Sequence, residues 1–234
     1  MTEWLYPVRC PVCLQIVTPK GASLHPDCIK KLLFLKEPVC KKCGIPLASE
    51  DEEYCQECFT GTDRGWEEGR SVFPYHSPVE NALWQVKREG IKEFVRFFGF
   101  CMYKRQGTFI QRMAPECIVP VPLHSSKQRS RGFNQAELLA AALGQEAGLP
   151  VRRLLKKIKK TKDQKNLSKH ERRKNLKDAF VIEEKELGKH IPQSVLLVDD
   201  VYTTGSTLTA CAMVLRSYGV DKVVFLSVCA GKML

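Results

Sequence analysis

The stretch VLLVDDVYTTGST, residues 195–207, constrains the fold more than any other part of this 234-residue chain. Val195 to Val198 form a short, continuous apolar run, which is the pattern of a strand buried on both faces of a parallel sheet. Asp199 and Asp200 follow directly at the carboxyl end of that strand. Because ligands of open α/β sheets bind at the carboxyl ends of the strands, this polar cluster is a candidate site.

The segments around this strand alternate between strand-like and helix-like patterns. Apolar runs predict buried strands at CIVPVPL (117–123) and KVVFLSVCA (222–230). Apolar residues at helical spacing predict amphipathic helices at NQAELLAAALGQEAG (134–148) and STLTACAMVLRSYG (206–219). SVFPYH predicts an edge strand because Pro74 lacks an amide donor. Residues 77–103 predict two helices joined at Gly90. This alternation predicts an α/β fold with a parallel sheet and right-handed crossovers.

The loop after the central strand combines a glycine with hydroxyl side chains. Gly205 allows the backbone to curl around a ligand, and a helix that begins near Ser206 directs its first amides toward an anion. Thr203, Thr204, Ser206 and Thr207 add hydroxyl donors. Ionised aspartates only accept hydrogen bonds, so Asp199 and Asp200 suit sugar hydroxyls. The combination describes a ribose 5-phosphate; an ordinary turn whose aspartates merely cap the helix is the alternative.

Seven of the eleven cysteines lie within the first 58 residues, mostly as Cys-x2-Cys pairs. Such pairs place two thiolates on one tight turn, and two turns close a tetrahedral zinc site. In chain order, we predict a first site of Cys10, Cys13, His25 and Cys28, and a second site of Cys40, Cys43, Cys55 and Cys58. Four protein ligands leave no position for a catalytic water, so both zinc ions would be structural. Disulfides are the alternative, and they are disfavoured in a reducing compartment.

The remaining four cysteines, Cys101, Cys117, Cys211 and Cys229, have apolar neighbours, which predicts buried thiols. The segment FTGTDRGWEEGR (59–70) is rich in glycine and charge and indicates a boundary. We therefore expect a zinc module over residues 1–62 and an α/β domain over 70–234.

The chain carries a formal net charge of +11, which indicates a polyanionic partner. No apolar run reaches the roughly 20 residues that span a bilayer, and the first residues lack a signal-peptide pattern. These features predict a soluble, cytoplasmic protein.

The excess positive charge is concentrated between residues 151 and 177, which hold thirteen lysines and arginines and two acids. The segment could be a solvated charged face, a mobile loop that closes over pyrophosphate, or a track for single-stranded DNA. Phe133, expected to be exposed, is one of few aromatics available for stacking, so DNA binding would be largely electrostatic. The candidate DNA contacts are Arg129, Arg131, Arg152, Arg153, Lys156, Lys157, Lys159, Lys160, Arg172 and Arg173.

These motifs together resemble a known family. VLLVDDVYTTGSTL (195–208) resembles the ribose-phosphate signature of type I phosphoribosyltransferases. IVPVPLHSSKQRSRGFNQAELLA (118–140), LSKHERRKNLKDAF (167–180) and the cysteine-rich start resemble the ComF (ComFC) family of competence-associated proteins. The resemblance implies a double zinc ribbon ahead of a type I phosphoribosyltransferase-like domain, and a role in natural transformation. His25 departs from the family pattern, because a cysteine is expected there.

The resemblance also implies roles for individual residues. Asp199 and Asp200 would bind the ribose hydroxyls of phosphoribosyl pyrophosphate, and residues 203–207 would hold its 5-phosphate. Lys87 and the VPLH segment (121–124) would lie near the pyrophosphate, with Mg²⁺ held mainly by ligand oxygens and water. Lys87 and Arg131, together with Arg129, would help to neutralise the leaving group.

Two functions follow from the resemblance. The first is a cytoplasmic competence protein that binds phosphoribosyl pyrophosphate and single-stranded DNA, with an ATP-driven translocase as partner of the zinc module. The alternative is an active phosphoribosyltransferase that acts on a nucleobase or a related acceptor. No segment of the sequence is typical of a nucleobase pocket, and no general base is evident near the loop, which disfavours the alternative.

Overall fold

The computed structural model describes residues 8–18, 22–61, 63–160, 176, 178–187 and 190–231. Its main element is a four-stranded sheet of β1 (Gly69–Pro74), β2 (Cys117–Pro120), β5 (Ser194–Tyr202) and β6 (Lys222–Ala230). The strand order is β1-β6-β5-β2, and every neighbouring pair is parallel. β1 lies at the edge, as the proline near its end predicts.

A smaller antiparallel pair, β3 (Leu155–Lys157) and β4 (Phe180–Ile182), lies apart from the main sheet. The helices are α1 (Pro26–Ile29), α2 (Gln56–Phe59), α3 (Val79–Glu89), α4 (Lys92–Met113), α5 (Ser125–Arg131), α6 (Gln135–Ala147), α7 (Glu184–Leu187) and α8 (Ser206–Ser217). Among the described residues, no helix is both long enough and apolar enough to cross a membrane.

Alternate residues of the two central strands face two different cores. Leu196 and Val198 of β5 pack in a core that also contains residues of α3, α4 and α6. Val195 and Leu197 pack in the other core, with residues of α8 and of the zinc module. Both faces are therefore covered, which explains the continuous apolar run of β5. The predicted parallel α/β sheet flanked by helices is confirmed.

The break between α3 and α4 lies at Gly90, as the sequence predicts. Gly90 has φ 64°, a left-handed conformation that glycine adopts readily. A Cβ at this position would lie 2.8 Å from the Phe133 ring. Phe133 is therefore half-buried against the end of α3, and the expectation that it is exposed is wrong. Packing between segments 43 residues apart in sequence decides its exposure.

Several elements were not predicted from the sequence. α5, α7 and the β3–β4 pair are short, and β3 falls in the basic run, where no apolar alternation is visible. In contrast, the four isolated cysteines at positions 101, 117, 211 and 229 are all buried, as predicted.

The amino-terminal cysteines form two compact clusters. The ligand atoms of Cys40, Cys43, Cys55 and Cys58 lie within 4.8 Å of one another, and so do those of Cys10, Cys13, His25 and Cys28. These are the two predicted ligand sets. A soft thiolate set of this size fits a tetrahedral Zn²⁺.

His25 has the orientation of a ligand. Its Nε2 lies 3.0 Å from the carbonyl oxygen of Ile16, which can only accept, so Nε2 carries the proton. The lone pair is therefore on Nδ1, which lies 3.3 Å from the Sγ of Cys13 and faces the cluster. A hydrogen bond from the other ring nitrogen, such as the one from Nε2 to Ile16, commonly orients a metal-binding imidazole.

We expect His25→Ala to lower the zinc content from two ions per chain to about one, because three thiolates hold zinc less well than a complete tetrahedral set. His25→Cys should retain both ions. Metal analysis of the purified variants by mass spectrometry measures the effect, with His190→Ala, an exposed histidine outside the clusters, as control. Two ions in His25→Ala would exclude His25 as a ligand.

Candidate functional site

A cavity of about 740 Å³ opens at the carboxyl ends of the central strands. Asp199 and Asp200, at the end of β5, form part of its wall together with the start of α8. Lys87 from α3 and Tyr75, which follows β1, contribute from one side. The segment after β2 contributes from the other side. The sheet therefore brings together residues that are more than 100 positions apart in sequence.

The two neighbouring aspartates have different surroundings because successive residues of a strand point to opposite faces. Asp200 lies on the face covered by α3, where its side chain is buried and its Oδ2 forms an ion pair with the Nζ of Lys87. Asp199 is half-buried on the other face and accepts a hydrogen bond from the amide of Asp200 at 2.8 Å. The pair therefore provides one neutralised and one unneutralised carboxylate.

The pKa values follow from this arrangement. Burial and the neighbouring Asp200 carboxylate raise the pKa of Asp199 well above its usual value. For Asp200, burial alone would raise the pKa, but the Lys87 ammonium outweighs it and lowers the pKa. Burial alone would likewise lower the pKa of Lys87, and Asp200 reverses this effect. The ionised form of Asp199 is therefore favoured only when a hydrogen-bond donor or a cation lies beside it.

The loop that follows has the geometry of an anion site. Gly205 is the N-cap residue of α8, with φ 72°, and no side chain caps the first amides of the helix. Thr204 and Ser206 hydroxyls lie 2.8 Å apart. Thr203, Gly205, Ser206 and Thr207 all line the cavity. The amides at the amino terminus of a twelve-residue helix and several hydroxyls favour a phosphate group.

The VPLH segment (121–124), which the sequence placed near the pyrophosphate, lines the cavity, and so do lysines of α5 and of the basic run. Lys127, Lys157 and Lys160 line the cavity, and Lys157 also lies 5.3 Å from the centroid of the Phe180 ring. His124 lines the cavity as well, and its Nδ1 accepts from the amide of Ser126 at 3.2 Å. This places a titratable group beside the loop.

The other predicted basic contacts lie outside the cavity wall. Arg131 of α5 donates to the Oε1 of Gln135, and Arg129 is exposed. The remaining members of the basic run have partners within the chain. These are Arg152 with the carbonyls of Glu186 and His190, Arg153 with Glu137, Lys156 with Glu183, and Lys159 with Asp178. Arg172 and Arg173 lie outside the described residues.

The aspartates should affect stability in opposite directions. Asp199→Asn should stabilise the ligand-free protein by on the order of 1 kcal/mol at neutral pH, because it removes a half-buried carboxylate with a raised pKa. The gain in the free energy of unfolding should grow as pH rises above 3.8, the ordinary pKa of aspartate, and should level off above the pKa of Asp199 in the folded protein. Asp200→Asn should destabilise by about 1–3 kcal/mol, because Lys87 loses its partner.

Thermal unfolding from about pH 5 to 8 measures both effects. Asp221→Asn, an exposed acid at the opposite end of the sheet, is the control. Equal shifts in the two site variants would contradict the assigned ion pair.

Comparison with known proteins extends these observations. Residues 1–59 match the double zinc ribbon domain model, which confirms the two zinc sites as structural elements of the fold. Competence protein F of Haemophilus influenzae is 32% identical, over 92% of this chain and 93% of the relative. DNA utilization protein YhgH of Salmonella typhimurium is also 32% identical, over 77% and 79%.

Among solved structures, a hypoxanthine phosphoribosyltransferase from Staphylococcus aureus aligns with 64% of this chain and 72% of its own, at 15% identity and a TM-score of 0.34. The match to competence protein F covers nearly the whole length of both chains. The chain therefore belongs to the ComF (ComFC) family of competence proteins.

Proposed function

We propose that this protein is a cytoplasmic competence factor that binds phosphoribosyl pyrophosphate at the carboxyl edge of its sheet and single-stranded DNA on its basic surface during DNA uptake. One observation carries the ligand proposal. The two aspartates and the start of α8 line one cavity together with Lys87, Lys157 and Lys160.

Each part of phosphoribosyl pyrophosphate has a chemically matched group in the cavity. The 5-phosphate fits the amides and hydroxyls of residues 203–207. The ribose hydroxyls can donate hydrogen bonds to the carboxylates of Asp199 and Asp200. Lys87, Lys157 and Lys160 would face the pyrophosphate. A volume of about 740 Å³ falls within the range of small-molecule sites.

The residues also fit a Mg²⁺ ion bound with the ligand. Mg²⁺ prefers oxygen ligands and usually retains several waters and substrate phosphates. Asp199 is the carboxylate that would face it, because Asp200 is already paired with Lys87. When bound, the ion would neutralise charge on the pyrophosphate.

The Asp199→Asn, Asp200→Asn double variant should bind phosphoribosyl pyrophosphate about 100-fold more weakly or worse, because two charge-assisted hydrogen bonds to the ribose are lost. Isothermal titration calorimetry with Mg²⁺ present measures the affinity, and Asp221→Asn is the control. Affinity equal to the wild type in the double variant would remove the proposed site.

DNA binding is supported by the charge and by the relatives. The net charge of +11 is confined largely to residues 151–177, and the relatives are named for competence and DNA utilization. Two exposed aromatic–cation pairs, Trp84 with Arg88 and Phe100 with Lys104, add surfaces on which bases can stack. Because Arg152, Arg153, Lys156 and Lys159 have partners in the chain, we assign the principal phosphate contacts to the later part of the basic segment.

Replacing Arg172 and Arg173 by glutamate should weaken binding of oligothymidine and reduce the magnitude of the salt slope by about 0.7 per lost phosphate contact. Fluorescence anisotropy at several salt concentrations measures the slope. Lys30→Glu with Arg216→Glu, two exposed cations elsewhere, keeps the same net charge and serves as control. An unchanged slope in the Arg172, Arg173 variant would exclude this segment as the DNA track.

Turnover is the second candidate function. His124, within the cavity, is a group able to transfer a proton to an acceptor, and lysines near the pyrophosphate would stabilise its departure. Release of pyrophosphate in the presence of individual nucleobases would establish it, and loss of that release in His124→Ala would assign the histidine.

The zinc module is proposed to bind a protein partner, for which the family resemblance implies a competence translocase. It exposes apolar side chains beside its zinc sites: Ile29, Leu33 and Phe59, the last being 81% exposed. Exposed apolar groups of this kind are typical of interaction surfaces.

A further inference from the structure

Arg64 is a buried charged residue in the segment between the zinc module and the sheet. Only 4% of its surface is exposed. Its Nη2 pairs with the Oε2 of Glu57 at 3.0 Å, and Glu57 stands between the zinc ligands Cys55 and Cys58. Its Nη1 lies 3.3 Å from both the hydroxyl of Tyr202 and the carbonyl oxygen of Thr204. One guanidinium thus contacts both Glu57, between two ligands of the second zinc cluster, and the phosphate loop.

The bond to the Thr204 carbonyl determines the orientation of the next amide. In a planar trans peptide, the C=O and the following N–H point in opposite directions. Arg64 binds the Thr204 carbonyl from the buried side of the loop. The N–H of Gly205 is therefore directed away from Arg64, and Gly205 lines the cavity. Arg64 in this way holds a backbone donor toward the anion position.

The packing around the loop leaves little freedom for this arrangement. A Cβ on Gly205 would lie 2.9 Å from the Tyr202 ring and 3.3 Å from the Nη1 of Arg64. Two residues after Arg64, the indole Nε1 of Trp66 lies 3.3 Å from the hydroxyl of Thr209 in the first turn of α8. The linker therefore packs against both the loop and the helix that the loop begins.

We propose that Arg64 is a positioning residue that connects the second zinc site to the phosphate loop, so that the zinc ribbon forms part of the ligand site. The inference rests on the proposed binding of phosphoribosyl pyrophosphate for its functional consequence. Its structural content, an ordered loop that depends on Arg64, is independent of that ligand. Arginine suits this position because its planar fork donates to several acceptors at once, whereas lysine has a single ammonium.

Arg70 provides a matched control. It also joins the zinc module to the sheet, because its Nη1 donates to the carbonyl oxygen of Lys41 at 3.1 Å. Its carboxylate partner, Glu68, lies in the same linker. None of the contacts described for Arg70 involves the phosphate loop. Arg70→Gln therefore removes a similar connection without affecting the loop.

The test is hydrogen–deuterium exchange of the ligand-free wild type, Arg64→Gln, Arg64→Lys and Arg70→Gln, with zinc content measured in parallel. We expect exchange in peptides covering residues 200–209 to be accelerated about 10-fold in Arg64→Gln and less in Arg64→Lys. Zinc content should stay at two per chain, and Arg70→Gln should match the wild type in this region. Affinity for phosphoribosyl pyrophosphate should fall about 10-fold in Arg64→Gln.

The outcomes separate the two proposals. Unchanged exchange at residues 200–209 in Arg64→Gln would overturn the positioning role, as would an increase spread evenly over β5, β6 and α8. If Arg64→Gln does not fold, Arg64→Lys provides the test. Exchange at residues 200–209 and affinity equal to those of the wild type in Arg64→Lys would also overturn the positioning role. If the wild type does not bind phosphoribosyl pyrophosphate, the proposed function fails, while the exchange experiment still decides the role of Arg64.

Discussion

The ion pair between Lys87 and Asp200 is the interaction on which the site depends. β5 is buried on both faces, so the two carboxylates at its end enter a region with little water. Two adjacent anions there would repel each other and lose hydration. Lys87 neutralises one of them from α3, and the other remains available at the cavity wall. Lys87 lies on α3, which ends at Gly90, where the Phe133 ring packs. This packing therefore helps to position Lys87 beside Asp200.

The zinc module and the sheet are physically continuous. Buried side chains of the second zinc cluster belong to the same core as β5, β6 and α8. Trp66 packs edge-on against Phe225 of β6, with ring centroids 4.9 Å apart. About 60 residues with few large apolar groups would be marginally stable alone, and zinc together with this contact supplies what the module lacks. The module is thus joined to the side of the sheet where the loop after β5 lies.

Much of this arrangement was predictable from the sequence because it depends on local chemistry. The Cys-x2-Cys spacing identifies the ligand sets, and the apolar run before Asp199 identifies a buried strand. The role of Arg64 had no such signal, because it lies in GTDRGWEEG, whose glycines and charges are typical of a linker. Lys157 and Lys160 belong to a charge run for which the sequence left three interpretations open: a solvated face, a loop that closes over pyrophosphate, and a DNA track. The structure places both lysines at the cavity wall.

The sequence by itself determined the two cysteine-rich clusters, the parallel α/β class, the hydroxyl-rich loop after β5 and the family, because each is encoded within a short segment of fixed spacing. Only the tertiary structure decided which charges meet. It paired Lys87 with Asp200, placed Lys157 at the cavity wall, and buried Arg64 against the carbonyl of Thr204. The physical reason is that charge interactions depend on distances of a few ångströms between segments distant in sequence, and the packing of α3, β3 and the linker on the sheet sets those distances.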